Sequence, residues 1–222
     1  MSGVPTLTYA LIIANVIVFI AELGTGASAF GSINNSSLID HGALSRATIA
    51  GGDYWRLITA GFLHLNFLHI LFNMYALYIL GLILEPAIGK LRFGLIYAVS
   101  LLAGSFGALL LTKTGFTVGA SGAVFGLMGA AILVMRSRGV DPMQSGLPLW
   151  LGLNLLFSFT FSGISIGGHI GGLVGGGLAA IALFDIGERR RGIVPEIVPL
   201  LIVVALAAAS VIGAIAVSHS GA

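Results

Sequence analysis

The stretch FLHLNFLHILFNMYALYILGLIL, residues 62–84, decides the fold class of this chain. It is apolar almost throughout and contains no acidic residue, lysine or arginine. A helix needs about 20 such residues to cross the hydrocarbon core of a bilayer. The stretch therefore predicts a transmembrane helix, and three of its few polar side chains, His64, His69 and Asn73, require an explanation.

Six further apolar runs lie along the chain, at residues 7–23, 92–112, 119–135, 147–161, 166–184 and 197–217. The whole chain is 57% hydrophobic and 8% charged, with a mean hydropathy of +1.07, a balance that excludes an ordinary soluble domain. We therefore predict an all-α polytopic membrane protein with seven spans and a single domain over residues 1–222. The one long connection, residues 24–56, is predicted to be a partly ordered surface loop.

The composition also excludes several kinds of site and partner. There is no cysteine, so disulfide bonds, thiolate metal sites and a cysteine nucleophile are excluded. The net charge of +2 comes from a few basic residues near the ends of the spans, so no nucleic-acid partner is expected. The oligomeric state is left open by the sequence.

The basic residues are distributed unequally between the two sides of the predicted spans. Seven follow spans 2, 4 and 6: Lys90, Arg92, Arg136, Arg138, Arg189, Arg190 and Arg191. The other side has three: Arg46, Arg56 and Lys113. Because positive charge accumulates on the cytoplasmic side, the N-terminus is predicted to be cytoplasmic and the C-terminus outside.

Three polar side chains on spans 2, 4 and 6 are predicted to lie at one depth: His69, Ser121 and His169. Each is 15 or 16 residues from the charge that ends its span on the cytoplasmic side, namely Glu85, Arg136 and Asp185. At 1.5 Å per residue this is about 22–24 Å above that boundary. In a core of about 30 Å the common level lies near the outer surface, with Asn73 one turn deeper.

Two series of glycines flank these side chains. Span 4 carries Gly122, Gly126 and Gly129, and span 6 carries Gly168, Gly172 and Gly175 or Gly176. Small residues at this spacing allow two helices to pack backbone to backbone. If the two series pack together, the Ser121 hydroxyl and the His169 imidazole lie beside one contact. That is the arrangement in which a histidine activates a serine nucleophile.

The segment Gly119-Ala-Ser-Gly122 lies where a loop enters span 4, so backbone N–H groups there can stabilise developing negative charge. The Ser121 amide and the side chains of His69 and Asn73 are predicted to form an oxyanion hole. None of the eight acidic residues is predicted at the depth of His169, so a Ser-His dyad is favoured over a triad.

Other interpretations of the same residues are weaker. A serine at a helix start is commonly a cap, and a single membrane histidine, such as His64, is commonly structural. His64 and His69 are five residues apart, about 140° around a helix, so they do not form a chelating pair for a metal or haem. A small-solute transporter would show polar groups along a path and repeated broken helices, which are not evident.

The combined pattern resembles the rhomboid family of intramembrane serine proteases. The resemblance rests on HLNFLHILFN at 64–73, GASG at 119–122 and Gly168-His169 followed by a glycine run, with Trp55-Arg56 before span 2. It implies a six-helix core over about 7–184, with residues 197–217 as an added seventh helix.

The resemblance also implies roles for individual residues. Ser121 would be the nucleophile and His169 the base, with support from His69, Asn73, Gly119 and Phe125. Phe125 stands where many members carry a tyrosine that stacks on the catalytic histidine. His64 would be structural, Arg56 would fix the long loop and Glu85 would end its helix.

The resemblance further implies the setting of the reaction. The substrates would be single-pass membrane proteins cut near the outer face, in a prokaryotic plasma membrane, without metal or cofactor. Span 5, with Trp150 and the stripe of Phe157, Phe159 and Phe161, could form a gate for them. A catalytically inactive, client-binding relative is the alternative within the same family.

Overall fold

The structure, a computed structural model, describes residues 4–30, 36–146, 149, 152–153, 165–187 and 192–220. Within these residues the chain is almost entirely helical, with an isolated antiparallel bridge between Leu44 and Thr117. The predicted fifth span falls almost wholly outside the described residues, and so do Trp150 and the phenylalanine stripe proposed as a gate.

The described residues form nine α-helices. The first four are α1 (Thr6–Gly24), α2 (Ser37–Gly42), α3 (Arg46–Ala50) and α4 (Arg56–Thr59). The others are α5 (Phe67–Ile88), α6 (Lys90–Leu111), α7 (Ser121–Ser137), α8 (Ile166–Ala180, continued as a π-helix to Ile186) and α9 (Ile197–His219).

Five of these helices are long and apolar enough to cross a membrane: α1, α5, α6, α8 with its continuation, and α9. Helix α7 is apolar but shorter. The protein is therefore an integral, multi-pass, all-α membrane protein, as predicted. The described residues do not confirm seven spans, and the single-domain organisation stays a prediction.

The second predicted span begins later and ends later than its hydropathy indicated. The side chain of Asn66 accepts a 3.0 Å hydrogen bond from the His69 backbone N–H, and this cap starts α5 at Phe67. His64 therefore lies in the segment before the helix and not on it. Helix α5 also continues three residues beyond Glu85, so the prediction that Glu85 ends its helix was wrong.

The Glu85 carboxylate instead caps a different helix. It accepts hydrogen bonds from the backbone N–H groups of Leu7 and Thr8, at 2.9 and 2.7 Å, and from the Thr8 hydroxyl at 2.6 Å. The first N–H groups of a helix have no partner within it, and an acid stabilises them. Glu85 thus joins the start of α1 to the end of α5.

The long first connection is more ordered than predicted, because it contains α2, α3 and α4. The buried Arg56 forms an ion pair with Asp53 at 2.9 Å and donates to the carbonyl oxygens of Asp40 and Ala43. Arg56 therefore ties several turns of the loop together, in line with the role that the family resemblance implied.

The loop is also attached to the bundle. The Arg46 guanidinium donates to the carbonyl oxygens of Leu109 and Leu110, at 2.7 and 3.1 Å. These carbonyls belong to the last turn of α6, where helical acceptors lack partners. Arg46 therefore holds α3 against the end of α6.

Helix α8 packs closely against both α6 and α7. A β-carbon added at Gly172 would collide with the Gly122 carbonyl oxygen, and one added at Gly176 would collide with that of Gly126. The predicted contact between the two glycine series is therefore present. We call this backbone contact between α7 and α8 the glycine seam.

Candidate active site

Three of the residues predicted to form the site lie in the first turn of a helix. Ser121 is the first residue of α7, His69 the third of α5 and His169 the fourth of α8. A side-chain cap fixes the start of α8, because Ser165 Oγ accepts from the Gly168 N–H at 3.0 Å. The starts of α5 and α8 are thus set by side-chain caps, whereas α7 begins after Ala120 without one.

Ser121 and His169 flank one point of the glycine seam. A β-carbon added at Gly122 would lie 3.2 Å from the Gly168 carbonyl oxygen, so the residues next to Ser121 and His169 pack backbone to backbone. Gly104 of α6 closes the contact, since a β-carbon there would lie 3.1 Å from both Gly122 Cα and the Gly168 oxygen. Three glycines therefore bring Ser121 and His169 to the same junction.

The His169 imidazole is buried against an aromatic ring. Phe125, one turn after Ser121, stacks on it with ring centroids 4.0 Å apart and an interplanar angle of 13°. Both side chains are buried. The face-to-face contact fixes the plane of the imidazole, as expected from the position of Phe125 in the sequence.

His69 faces the serine across Gly119. A β-carbon at Gly119 would lie 2.7 Å from His69 Cε1 and Nε2, and 3.8 Å from Ser121 Oγ. Gly119 has φ +121°, a conformation that side chains disfavour, so position 119 requires glycine for two reasons. Its N–H donates to the Ala60 carbonyl at 2.8 Å, which makes Gly119 a support for the site and not an oxyanion donor.

The tautomer of His69 follows from its other ring nitrogen. The Leu65 N–H donates to His69 Nδ1 over a long distance of 3.4 Å. A nitrogen that accepts carries no proton in a neutral imidazole, so we assign the proton to Nε2. The His69 N–H then lies on the side of Gly119 and Ser121, where an oxyanion donor is needed.

Asn73 is buried one turn after His69. Its Nδ2 atom donates one hydrogen to the His69 carbonyl oxygen at 2.9 Å. An amide nitrogen carries two hydrogens, so one remains for another acceptor. Asn73 therefore both stabilises the first turn of α5 and keeps a donor in the neighbourhood of the site.

His64 contacts His69 directly, which the sequence did not indicate. The two rings meet edge to face, with centroids 5.1 Å apart and an interplanar angle of 65°. The separation of about 140° assumed that both residues lie on one helix, and His64 precedes it. In the described part of the chain, no group of three His, Cys, Asp or Glu side chains could hold a metal ion.

Glu22 is a residue that the sequence interpretation missed. It is fully buried in the last turn of α1, and both carboxyl oxygens lie 3.2 Å from the His64 backbone nitrogen. The sequence did contain a signal that singles out Glu22, because it is the one acidic residue inside the seven predicted spans. Ionisable residues within a membrane span are functional candidates by default.

A small cavity of about 30 Å³ lies beside the serine. Its lining includes three serines, Ser105, Ser121 and Ser165, together with backbone of the surrounding glycines. This volume is large enough for a single water molecule.

Comparison with known proteins adds an independent observation. The Rhomboid domain family model matches residues 51–186, more than half of the chain, and these residues include the candidate site. The chain belongs to the rhomboid family. Its fold is therefore a rhomboid-like polytopic helical fold.

Several relatives carry rhomboid names. Rhomboid protease GluP of Bacillus subtilis is 36% identical over 185 residues, covering 82% of this chain and 36% of GluP. Putative rhomboid protease YdcA of the same organism is 37% identical over 147 residues, covering 64% of this chain and 73% of YdcA. Rhomboid-like protease 1 of Toxoplasma gondii is 37% identical over 151 residues, covering 63% of this chain and 50% of that protein. The chain spans about a third of the length of GluP and half that of the Toxoplasma gondii protein.

Proposed function

We propose that this rhomboid is an intramembrane serine endopeptidase in which Ser121 is the nucleophile and His169 the general base. The observation that carries the proposal is the contact of Gly122 with Gly168, which brings the two adjacent polar side chains to one junction. The family membership and the names of the relatives support the same reaction class.

The proposed reaction follows the logic of acyl transfer. His169 removes the proton of the Ser121 hydroxyl as Oγ attacks the scissile carbonyl carbon. The protonated imidazole then donates that proton to the departing amine, and an acyl-enzyme remains. A water molecule, deprotonated by the same imidazole, cleaves the ester and restores the serine.

The negative charge on the carbonyl oxygen would be stabilised by three groups. These are the backbone N–H of Ser121, at the start of α7, the Nε2–H of His69 and the second Nδ2 hydrogen of Asn73. One such donor typically contributes a factor of about 10²–10³ to kcat. Phe125 would hold the imidazole in one plane through both transfer steps.

Deacylation inside a bilayer requires a source of water. The cavity of about 30 Å³ that adjoins Ser121 can hold one molecule next to the acyl-enzyme. The serines in its lining would retain that molecule near the reacting ester. We therefore assign the cavity to the hydrolytic step.

The proposed substrates are single-pass membrane proteins, cut near the outer face of the membrane. The excess of basic residues after spans 2, 4 and 6 supports a cytoplasmic N-terminus and an outer C-terminus. The first turns of α5, α7 and α8, which carry the polar side chains of the site, would then face the outer leaflet. A prokaryotic plasma membrane is the proposed location.

The experiment that tests this function uses purified protein in liposomes with a single-span substrate whose helix is destabilised by glycine. Wild-type protein is expected to cleave it, and Ser121→Ala is expected to be inactive. Ser137→Ala is the matched control, because Ser137 is a half-buried serine at the opposite end of α7. Cleavage by Ser121→Ala, or none by folded wild type across several substrates, would contradict the proposal and favour a client-binding role.

A further inference from the structure

A path of contacts leads from α1 to the proposed oxyanion side of the site. It starts at the buried carboxyl group of Glu22, whose two oxygens share the backbone N–H of His64 at 3.2 Å each. The next N–H in the chain, that of Leu65, donates to His69 Nδ1. The Glu22 carboxyl is thus one residue away from the bond that fixes the His69 tautomer.

The segment that carries these two N–H groups lies between helices. The preceding 3₁₀ turn ends at Phe62 and α5 begins at Phe67, so neither N–H group has a regular helical acceptor. Glu22 satisfies the first and His69 satisfies the second. The Glu22 side chain, 42 residues away in the sequence, and the nearby His69 side chain therefore hold this short segment in place.

A shift of His64 would be transmitted to Leu65. Consecutive Cα atoms are 3.8 Å apart and joined by a planar peptide, so the two backbone nitrogens cannot move independently over large distances. The Leu65 bond to His69 is already long, at 3.4 Å, and a small further displacement would break it. Nδ1 of His69 would then be free to carry the proton.

We propose that Glu22 is a positioning residue, which holds the His64–Leu65 segment so that the proton of His69 stays on Nε2, facing Ser121. The catalytic consequence rests on the proposed function, whereas the tautomer can be measured in an inactive protein. Glu22 does not touch the reacting atoms and acts through His64 and Leu65.

The shape of the acceptor, and not its charge, is what this role requires. Glu22→Gln keeps the length of the side chain and presents a carbonyl oxygen to the His64 N–H. Glu22→Asp keeps a carboxyl group but shortens the side chain by one methylene group, so the carboxyl lies farther from the His64 N–H. A positioning role predicts that Gln substitutes better than Asp, whereas an acid or proton-relay role predicts the reverse.

The test is ¹⁵N NMR of histidine-labelled full-length protein, with the His69 signals assigned by their loss in His69→Asn. Wild type and Glu22→Gln are expected to show His69 protonated on Nε2. Glu22→Asp is expected to show a mixture of tautomers. Glu85→Asp is the matched control, because it shortens another buried carboxyl that receives backbone N–H groups, at the far end of α5.

The kinetic arm measures kcat and KM on the single-span substrate. Glu22→Asp is expected to lower kcat by about tenfold with KM unchanged, a partial loss of one oxyanion donor. Glu22→Gln is expected to remain within about twofold of wild type. An unchanged His69 tautomer in Glu22→Asp, or an altered one in Glu22→Gln, would overturn the inference. Absence of cleavage by wild type together with the expected tautomer shift would instead overturn the proposed function alone.

Discussion

The two sides of the candidate site are built in different ways. On one side, the glycine seam holds Ser121 and His169 through direct backbone contact between α7 and α8. On the other side, hydrogen bonds between His69 and the segment that precedes α5 hold His69 in place. The difference teaches that the first side depends on backbone contact, whereas the second also depends on the direction and length of individual hydrogen bonds.

The largest expected effect comes from adding one methyl group to the seam. In Gly172→Ala the new β-carbon collides with the Gly122 carbonyl, and overpacking of this kind costs about 1–3 kcal/mol or more. We expect a lower unfolding temperature and loss of cleavage. Both are measured on protein purified in the same detergent.

Gly177→Ala is the matched control on the same helix. Its β-carbon would have its nearest neighbour, Leu133 Cδ1, at 4.0 Å. Alanine is favoured over glycine in a helix by roughly 0.5–1 kcal/mol, so stability should stay the same or rise. Equal loss of stability in both variants would contradict a seam held by backbone contact.

On the hydrogen-bonded side, His69→Ala removes a donor without filling space. We expect kcat to fall by about 10²–10³-fold, because the developing oxyanion loses one partner. The unfolding temperature should change less than in Gly172→Ala. The exposed His41 provides the control, and a His69→Ala enzyme as fast as His41→Ala would remove His69 from the proposed oxyanion hole.

Phe125 belongs to the side of the glycine seam, since it stands on α7 and stacks on the His169 imidazole of α8. Replacement by leucine removes an aromatic contact of about 0.5–1.5 kcal/mol, which corresponds to a fall in kcat of roughly 2- to 10-fold. Phe125→Tyr keeps the ring and should stay close to wild type. If the leucine and tyrosine variants were equally active, stacking would not orient the base.

The smallest effect is expected where the loop meets α6. Arg46→Gln loses the hydrogen bonds to the carbonyls of Leu109 and Leu110 at a half-buried position, at a cost of about 1 kcal/mol. We expect a small decrease in unfolding temperature and cleavage within about twofold of wild type. A tenfold loss of kcat would show that the loop anchor controls the site and not only stability.

The features that the sequence predicted are those with a local signal. Hydropathy located the long helices, and the glycine spacing within each of the two series indicated helices that can pack closely, because both signals lie among residues close together in the chain. The family motifs pointed to the same positions for Ser121 and His169.

The features that escaped prediction depend on contacts between distant segments. Because of the Asn66 cap, α5 begins at Phe67 and not at residue 62, where hydropathy placed the start of the span. His64 therefore lies outside the helix, and its ring contacts His69. Hydropathy cannot detect a cap that is inside an apolar run. Glu22 was visible as an acid in an apolar span, but its partner is 42 residues away and only the fold joins them.

The most direct test of the central claim is the reaction of the folded protein with a fluorophosphonate, followed by mass spectrometry of the modified peptide. An activated serine should be phosphonylated at Ser121 in wild type and in Ser137→Ala. Labelling should be absent in Ser121→Ala and strongly reduced in His169→Ala. Modification of Ser121 at the wild-type rate in His169→Ala, or no modification of the folded wild-type protein, would contradict a serine activated by His169.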